Sequence, residues 1–424
     1  MADLLDDLDQ RDLIHDSTDR DALAARLAEG PITLYYGCDP TAPSLHHGNL
    51  IGLIMLRRFQ EAGHRPVALA GGATGMIGDP GGRSEERNLL DLETLAANVT
   101  AIKDQISRIL GPEGSWQLVD NMSWTAELRV LDFLRDVGKH VTVNQMVARE
   151  SVKARMASEH GISYTEFSYM LLQANDYAWL HEHEACELQI GGSDQWGNIL
   201  SGVDLIRRRH GATAHGLCWP LLTASDGAKL GKTTGARVWL DPALTSPYAF
   251  FQHWMATDDV ELRRMLAQFT LLPMSEVDAL VEAHADAPAR RVGQRALARA
   301  VTTLVHGPEA ALNAEQAAAV LFGGDPREAS AGALAAVAAE VPSARLEPGE
   351  SLAEGVDLVA VLQRAGLATS HGDARRQLDQ RGISVNGEKV DPDRRLVSDD
   401  LLHGRWVLLR KGKRDWAALD AGSS

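Results

Sequence analysis

Cysteine is scarce. The 424-residue chain has three, Cys38, Cys186 and Cys218, far apart and in no Cys-x-x-Cys pair. That spacing argues against a disulfide framework and a zinc ribbon, and no metal site is expected. No apolar run approaches the roughly 20 residues a membrane-spanning helix needs, so no membrane partner is expected. The N-terminus, Met1-Ala2-Asp3-Leu4-Leu5-Asp6-Asp7, is acidic where a signal peptide would be basic, and the expected compartment is the cytoplasm. Positive charge is also short: 42 Lys and Arg stand against 58 Asp and Glu, for a net charge of −16. Bulk charge therefore makes no case for nucleic-acid binding; such a contact requires basic residues gathered on one face. What is present is ordinary for a globular protein, with 45% hydrophobic and 24% charged residues and length enough for two or three domains.

Residues 3 to 29 have the apolar spacing of an opening helix, ended by Gly30-Pro31. Leu34 to Cys38 reads as a short buried strand broken by Asp39-Pro40, and Leu50 to Phe59 as a helix. The loop between them carries Thr41, Ser44, His46 and Asn49. A strand, a tight loop and a helix N-terminus make an anion site, because free backbone N–H groups point at the ligand. Pro66 to Ala70 is the next buried strand, followed by a glycine-rich turn reaching Asp79 and Arg83. This is the βαβ rhythm of a doubly wound parallel sheet, whose ligands bind beyond the carboxyl ends of the strands. Further strands are expected at Trp116–Asp120, Glu187–Ile190 and Leu221–Thr223, with a mixed helical segment near 125–160 between the two halves. From Ser246 to about Leu321 the chain is helical; 326–355, rich in Ala, Glu and Pro, reads as a loosely ordered linker. Ile383 to Val390 reads as a β-hairpin around Asn386-Gly387.

Four groups of residues point to chemistry. Lys229 and Lys232, three apart in the loop Lys229-Leu230-Gly231-Lys232-Thr233, can reach adjacent phosphate oxygens; alone, such a string is usually a solvated loop. Arg83 and Arg87, four apart, share a helix face, where they either meet phosphate or pair with Glu85 and Glu86. Tyr169, Gln173 and Asp176 fall on one helix face, which is either solvent-exposed or the wall of a polar pocket. In the tail, Ser370 to Trp416 carries eleven basic against eight acidic side chains, a local positive excess in an acidic protein. His181-Glu182-His183-Glu184 has no metal-binding spacing and reads as a solvated helix end.

The stretch Tyr35-Tyr36-Gly37-Cys38-Asp39-Pro40-Thr41-Ala42-Pro43-Ser44-Leu45-His46-His47-Gly48-Asn49 resembles the first ("HIGH") signature of class I aminoacyl-tRNA synthetases in its bacterial tyrosyl form, with Asn49 in place of the last His. Lys229 to Thr233, roughly 180 residues further on, resembles the second ("KMSKS"), with Gly231 for the middle Ser. Two signatures in the right order are far more specific than either alone. The resemblance implies activation of L-tyrosine with ATP, then transfer to the 3′ end of tRNA(Tyr). ATP is thus a substrate accompanied by Mg2+, with no permanent protein-bound cofactor, and the family is homodimeric. Thr41, His46, Lys229 and Lys232 would be catalytic. Tyr35 and Asp176 would hold the phenolic hydroxyl, and Asp79, Tyr169 and Gln173 the α-ammonium. Gly37, Asp39, His46, Asn49, Gly192, Asp194, Gln195 and Lys232 would contact ATP, and Arg83 and Arg87 the pyrophosphate. Arg375 and Arg376 would contact tRNA.

The fold class expected on these grounds is α/β: a doubly wound, Rossmann-like catalytic domain over 1–225, a signature loop and α-helical tRNA-contacting domain over 226–325, a linker over 326–355, and a small α+β RNA-binding domain of ribosomal-protein type over 356–424. Carboxylate-and-phenol recognition strands buried polar groups when phenylalanine enters, and this enzyme family is itself the standing illustration of that principle.

Overall fold

The computed structural model describes residues 4–79, 90–112, 114–158, 161–221 and 237–422. Lys229, Lys232, Arg83, Arg87 and the expected strand at 222–223 lie outside them. The chain divides into two compact units, residues 1–245 with 257–297, and 246–256 with 298–424. The helical region expected over 226–325 is therefore shared between the units.

In the first unit the elements run α1 (Leu4–Gln10), β1 (Asp16–Ser17), α2 (Arg20–Glu29), β2 (Thr33–Cys38), α3 (His47–Glu61), β3 (Arg65–Ala70), α4 (Gly72–Gly75), α5 (Leu92–Leu110) and β4 (Gln117–Asp120). Short helices α6 (Met122–Thr125), α7 (Val130–Asp136), α8 (Val143–Val147) and α9 (Glu150–Met156) follow. Then come α10 (Tyr164–Glu184), β5 (Cys186–Gly192), α11 (Trp196–His210) and β6 (His215–Trp219). The opening segment is not one helix. Asp12 adopts a left-handed φ of 57°, β1 pairs antiparallel with β6, and the Asp19 side chain restarts the helix by accepting from Ala22 N–H. Apolar spacing could not reveal this break, because the residues on both sides keep helical periodicity.

The sheet order is β1-β6-β5-β2-β3-β4, and every pair except β1–β6 is parallel. Read from β4, the parallel strands run outward to β2 and then resume at β5, so the order reverses between β2 and β5. Loops leaving the carboxyl ends of those two strands diverge and open a crevice. Helix α3 is buried almost all round through Leu50, Ile51, Leu53, Ile54, Met55, Leu56 and Phe59. Each such side chain contributes about 1.5–3 kcal/mol when withdrawn from water, so the helix that carries the first signature is firmly seated. Helices α13 (Leu262–Phe269) and α14 (Met274–Asp286), with α12 (Pro247–Met255) of the second unit before them, continue the chain.

The second unit adds α15 (Val292–His306), whose first residues belong to unit one, then α16 (Pro308–Leu321), α17 (Ala331–Glu340), β7 (Ser343–Arg345), β8 (Val356–Asp357), α18 (Leu358–Arg364), α19 (His371–Asp379), β9 (Ile383–Val385), β10 (Glu388–Lys389), β11 (Arg395–Leu396), β12 (Trp406–Lys411) and β13 (Asp415–Asp420). Its main sheet has the order β10-β9-β12-β13-β7. Alternation along β12 and β13 splits their side chains between two cores. Val407, Leu409, Ala417 and Leu419 meet α18 and α19 on one face. Trp406, Leu408, Trp416 and Ala418 meet α16 and α17 on the other.

The segment 326–355 is not a loose linker. It contains α17, whose Ala333, Leu334, Val337 and Ala338 are buried, and β7, which pairs parallel with β13. Its alanines, read from composition as low complexity, are a small-residue helix face. The hairpin expectation holds: β9 and β10 pair antiparallel around Asn386 and Gly387, both at positive φ (47° and 89°), as a tight hairpin turn demands.

Candidate active site

A cavity of about 370 Å³ opens where the sheet order reverses, within the range of small-molecule sites. It is lined from β2 and its loop by Tyr35, Gly37, Asp39, Thr41, His46 and Asn49, from α10 by Tyr169, Gln173 and Asp176, and from the β5 end by Gln189, Gly192, Asp194 and Gln195. Thr74, Asp79, Leu221 and Arg237 complete the wall. Every described residue assigned to tyrosine, ATP or catalysis from the sequence is thus in one cavity. Arg375 and Arg376 belong to the second unit, on α19, where Arg376 pairs with Asp373 at 2.6 Å.

The signature loop is held from behind. Asn98 Nδ2 donates to Pro40 O at 2.9 Å, and Gln105 Oε1 accepts from Leu45 N–H at 2.9 Å. His46 is the N-cap of α3: its Nδ1 accepts from Gly48 N–H at 3.0 Å, and Asn49 Oδ1 accepts from His46 N–H at 3.1 Å. This reciprocal box gives Asn49 a concrete job, since an amide oxygen satisfies a helix-end donor that would otherwise be orphaned. With Nδ1 accepting, the ring proton sits on Nε2. Burial, followed by the neighbouring His47 and Arg237, pulls the His46 imidazole down to about 4. His46 is therefore a neutral hydrogen-bond donor near pH 7, placed at the positive end of a helix dipole.

The chain beyond the second signature returns to the first. His47 N–H donates to Val238 O at 3.0 Å, Leu240 N–H to Leu45 O at 2.8 Å, and the Arg237 guanidinium lies 5.0 Å from the Trp239 ring centre. Leu221 and Arg237, which flank the second signature, both line the cavity.

The opposite end of the cavity is buried and tightly bonded. Asp176 accepts from Asn121 Nδ2 at 2.9 Å and from Trp124 Nε1 at 2.8 Å. Burial raises its carboxyl to about 7 despite those two donors. Tyr35, 1% exposed, has a hydroxyl with no hydrogen-bond partner; burial, then Asp176, pushes its phenol well above the ordinary range. Gln189 Oε1 is likewise buried without a partner. Unmet polar groups of this kind cost about 1–3 kcal/mol each, and these two line the cavity.

Between the two ends, Tyr169 donates to Asp39 Oδ2 at 3.0 Å and Gln195 Nε2 to Asp79 Oδ2 at 2.6 Å. Asn198 Nδ2 donates to Gln173 Oε1 at 3.0 Å and Gln195 Oε1 at 3.1 Å. Tyr36, left without a role by the sequence, packs its ring over α3, where a Cβ at Gly52 would lie 2.4 Å from it. Sequence reasoning missed Thr74, Asn121, Trp124, Gln189, Arg237 and Asn198. Asn121 could have been found: it directly follows a parallel strand's carboxyl end, where ligand-binding groups collect. Trp124 carries no such signal. The pair His181 and His183 bonds to the backbone oxygens of Cys186 and Trp179. Among the described residues the one potential metal-ligand cluster is His15, Asp16 and Cys218, outside the cavity.

Residues 27–323 match the family model described as tRNA synthetases class I (W and Y), and the order-reversing parallel sheet is the fold of a class I aminoacyl-tRNA synthetase. Residues 333–419 match a tyrosine–tRNA ligase C-terminal domain. The tyrosine–tRNA ligase of Opitutus terrae is 50% identical over 98% of this chain and 99% of its own length. That of Roseiflexus castenholzii is 48% identical over 98% and 99%. The chain belongs to the tyrosine–tRNA ligase family. Among solved structures, a C-terminally truncated mitochondrial tyrosyl-tRNA synthetase from Aspergillus nidulans is similar with a TM-score of 0.69 at 31% identity, over 76% of this chain and 95% of that one. A tryptophanyl-tRNA synthetase from Encephalitozoon cuniculi shares the fold, with a TM-score of 0.55 at 15% identity over 72% of this chain and 86% of that one.

Proposed function

We propose that the chain activates L-tyrosine with ATP to tyrosyl-adenylate and pyrophosphate, then transfers the tyrosyl group to the 3′ end of tRNA(Tyr). The observation that carries this reading is the buried end of the cavity: the partnerless Tyr35 hydroxyl beside the Asp176 carboxylate. A phenol satisfies both, donating its proton to Asp176 and accepting from Tyr35. Phenylalanine leaves both stranded.

In the first step a tyrosine carboxylate oxygen attacks the α-phosphorus of ATP in line, and the bond to the pyrophosphate oxygen breaks. Tyr169, Gln173 and Asp79 hold the α-ammonium. Gly37, Asp39, Asn49, Gly192, Asp194 and Gln195 hold the nucleotide, the glycines by close backbone approach. Neutral His46 donates to phosphate oxygens with Thr41; Lys229 and Lys232 offset charge at the reacting phosphates, and Arg83 and Arg87 take the departing pyrophosphate. In the second step a terminal ribose hydroxyl attacks the acyl carbon, and AMP leaves. No covalent enzyme intermediate forms, so catalysis is positioning plus electrostatic stabilisation.

Asp39, Asp79 and Asp176 already accept from protein donors, which suits Mg2+ that travels with the ATP phosphates rather than in a protein cage. The working form is a homodimer. Val130 (73% exposed), Leu131 (78%), Val143 (62%) and Tyr164 (73%) present apolar surface on α7, α8 and α10, and a second copy would cover it. Arg375 and Arg376, exposed on α19, contact tRNA phosphates. The proposed compartment is the cytoplasm; among the described residues no helix is long and apolar enough to cross a membrane.

Amino-acid-dependent ATP–pyrophosphate exchange without tRNA tests the reading. Exchange with tyrosine, and none with phenylalanine or tryptophan, is expected. Exchange with tryptophan would refute the pocket assignment, and none with any of the three would refute the enzyme reading.

A further inference from the structure

The buried end of the cavity contains a continuous hydrogen-bond relay. Ala73 N–H donates to Asn121 Oδ1 at 2.8 Å. That bond fixes the orientation of the amide, because only its oxygen can accept from a backbone donor. Both amide hydrogens then face other partners: Asp176 Oδ2 at 2.9 Å and Thr74 Oγ1 at 3.0 Å. Thr74, having accepted, donates its own proton to Asp39 Oδ1 at 2.8 Å. Asp39 Oδ2 accepts from the Tyr169 hydroxyl at 3.0 Å. One backbone N–H thus sets the polarity of the bonds from Asn121 through Thr74, and the acceptor-only carboxylate of Asp39 sets that of the last. The relay also needs room: a Cβ on Gly71 would lie 2.2 Å from Asp39 Oδ1 and 2.4 Å from Thr74 Oγ1.

We propose that Thr74 is a positioning residue that couples recognition of the substrate hydroxyl at Asp176 to the placement of Asp39 and Tyr169, so that the hydroxyl raises turnover as well as affinity. The inference rests on the assignment of Asp176 to the phenol and of Asp39 and Tyr169 to the amino-acid and nucleotide end. A phenol donating to Asp176 keeps that carboxylate ionised, and an ionised carboxylate holds the Asn121 amide most strongly. The second amide hydrogen stays on Thr74, the Thr74 hydroxyl stays on Asp39, and both Asp39 oxygens stay anchored. Phenylalanine supplies no proton donor to Asp176, so the relay keeps only the weaker hold on Asn121 that it has in the free protein.

The test is tyrosine- and phenylalanine-dependent ATP–pyrophosphate exchange on wild type, Thr74→Val, Thr74→Ser and Gly71→Ala. Thr74→Val removes the hydroxyl at nearly constant volume; Gly71→Ala pushes the Thr74–Asp39 pair apart without touching either residue. Each is expected to lower kcat with tyrosine about tenfold, the effect of one charge-assisted hydrogen bond, with KM for ATP changed less than about threefold. The phenylalanine rate should move far less, so the tyrosine-to-phenylalanine ratio falls. Thr74→Ser, which keeps the hydroxyl, should restore kcat. Equal loss with both amino acids, failure of Ser to rescue, or no loss in the folded Val and Ala variants would overturn the coupling. Asp176→Asn serves as the separate control: if it leaves the tyrosine-to-phenylalanine ratio unchanged, the pocket assignment itself fails, and not merely the relay.

Discussion

At its buried end the cavity is lined by Tyr35 and Asp176, backed by Asn121 on Asp176; Tyr35, Asp176 and Asn121 are 1%, 2% and 0% exposed. At its rim, Thr41, Asp194 and Arg237 are exposed. The buried end is held by bonds made before any ligand arrives: Asp176 takes two protein donors, and Asn121 is oriented by Ala73 N–H. The rim relies on backbone and helix-end geometry, with His46 capping α3. The contrast matches the two tasks proposed. Telling tyrosine from phenylalanine rests on one hydroxyl, and only a dry, preorganised site makes one hydrogen bond decisive. Holding a triphosphate rests on several donors around a diffuse charge, which an open rim can supply.

Breaking the buried end should have the largest effect. Asp176→Ala is expected to lower kcat/KM for tyrosine roughly 1000-fold, through a lost charged acceptor and the stranded donors of Asn121 and Trp124. Steady-state exchange kinetics measure this; a loss under about tenfold would mean the phenol is read elsewhere. At the rim, His46→Ala should lower kcat roughly 100-fold while KM for tyrosine moves little, as for a single donor to developing charge. His46→Gln, which keeps a neutral donor, should recover part of it. A lost KM for tyrosine instead would erase the distinction between the two ends.

Acidity sharpens the comparison. Asp176 sits near 7 because of its burial, and in the proposed assignment its ionised form accepts the phenol's hydrogen bond. KM for tyrosine should therefore rise as the pH falls below about 7, up to about tenfold per unit. His46, already neutral above about 4, should add no step between pH 6 and 8. For stability the sign is opposite. The folded-state value of Asp176 lies above its ordinary 3.8, so its contribution is complete below 3.8 and lost as the pH rises through about 7. Melting temperature with and without tyrosine reads both: added tyrosine should stabilise more at pH 8 than at pH 6.

The smallest effect is the most diagnostic. Tyr35→Phe removes a buried hydroxyl that has no partner. The free protein should gain about 1 kcal/mol in unfolding free energy while kcat/KM for tyrosine falls about tenfold. Destabilisation of the free protein would mean that the hydroxyl has a structural partner.

Much of this was legible in the residues. The strands β2 to β5, the helix after the first signature and the Asn386-Gly387 hairpin follow from local periodicity and turn chemistry, which neighbours in sequence carry; β6 at His215–Trp219 was not expected. Tyr169, Gln173 and Asp176 were legible as one face because helix geometry alone sets their spacing. The break at Asp12 and the burial of α17 were not, since each depends on a partner far along the chain: β1 lies on β6, and β7, after α17, lies on β13.

The sequence by itself determined which groups were on hand: a carboxylate and a phenol for one hydroxyl, an imidazole at a helix start, and two signatures whose order names the family. Only the tertiary structure decided their states. Whether Asp176 titrates near 7, whether Tyr35 is unmet, and which way Asn121 faces are set by groups more than a helix away in sequence. Hydrogen bonding and desolvation act over a few ångströms of space, and the order of strands in the sheet, not distance along the chain, fixes what lies within that reach.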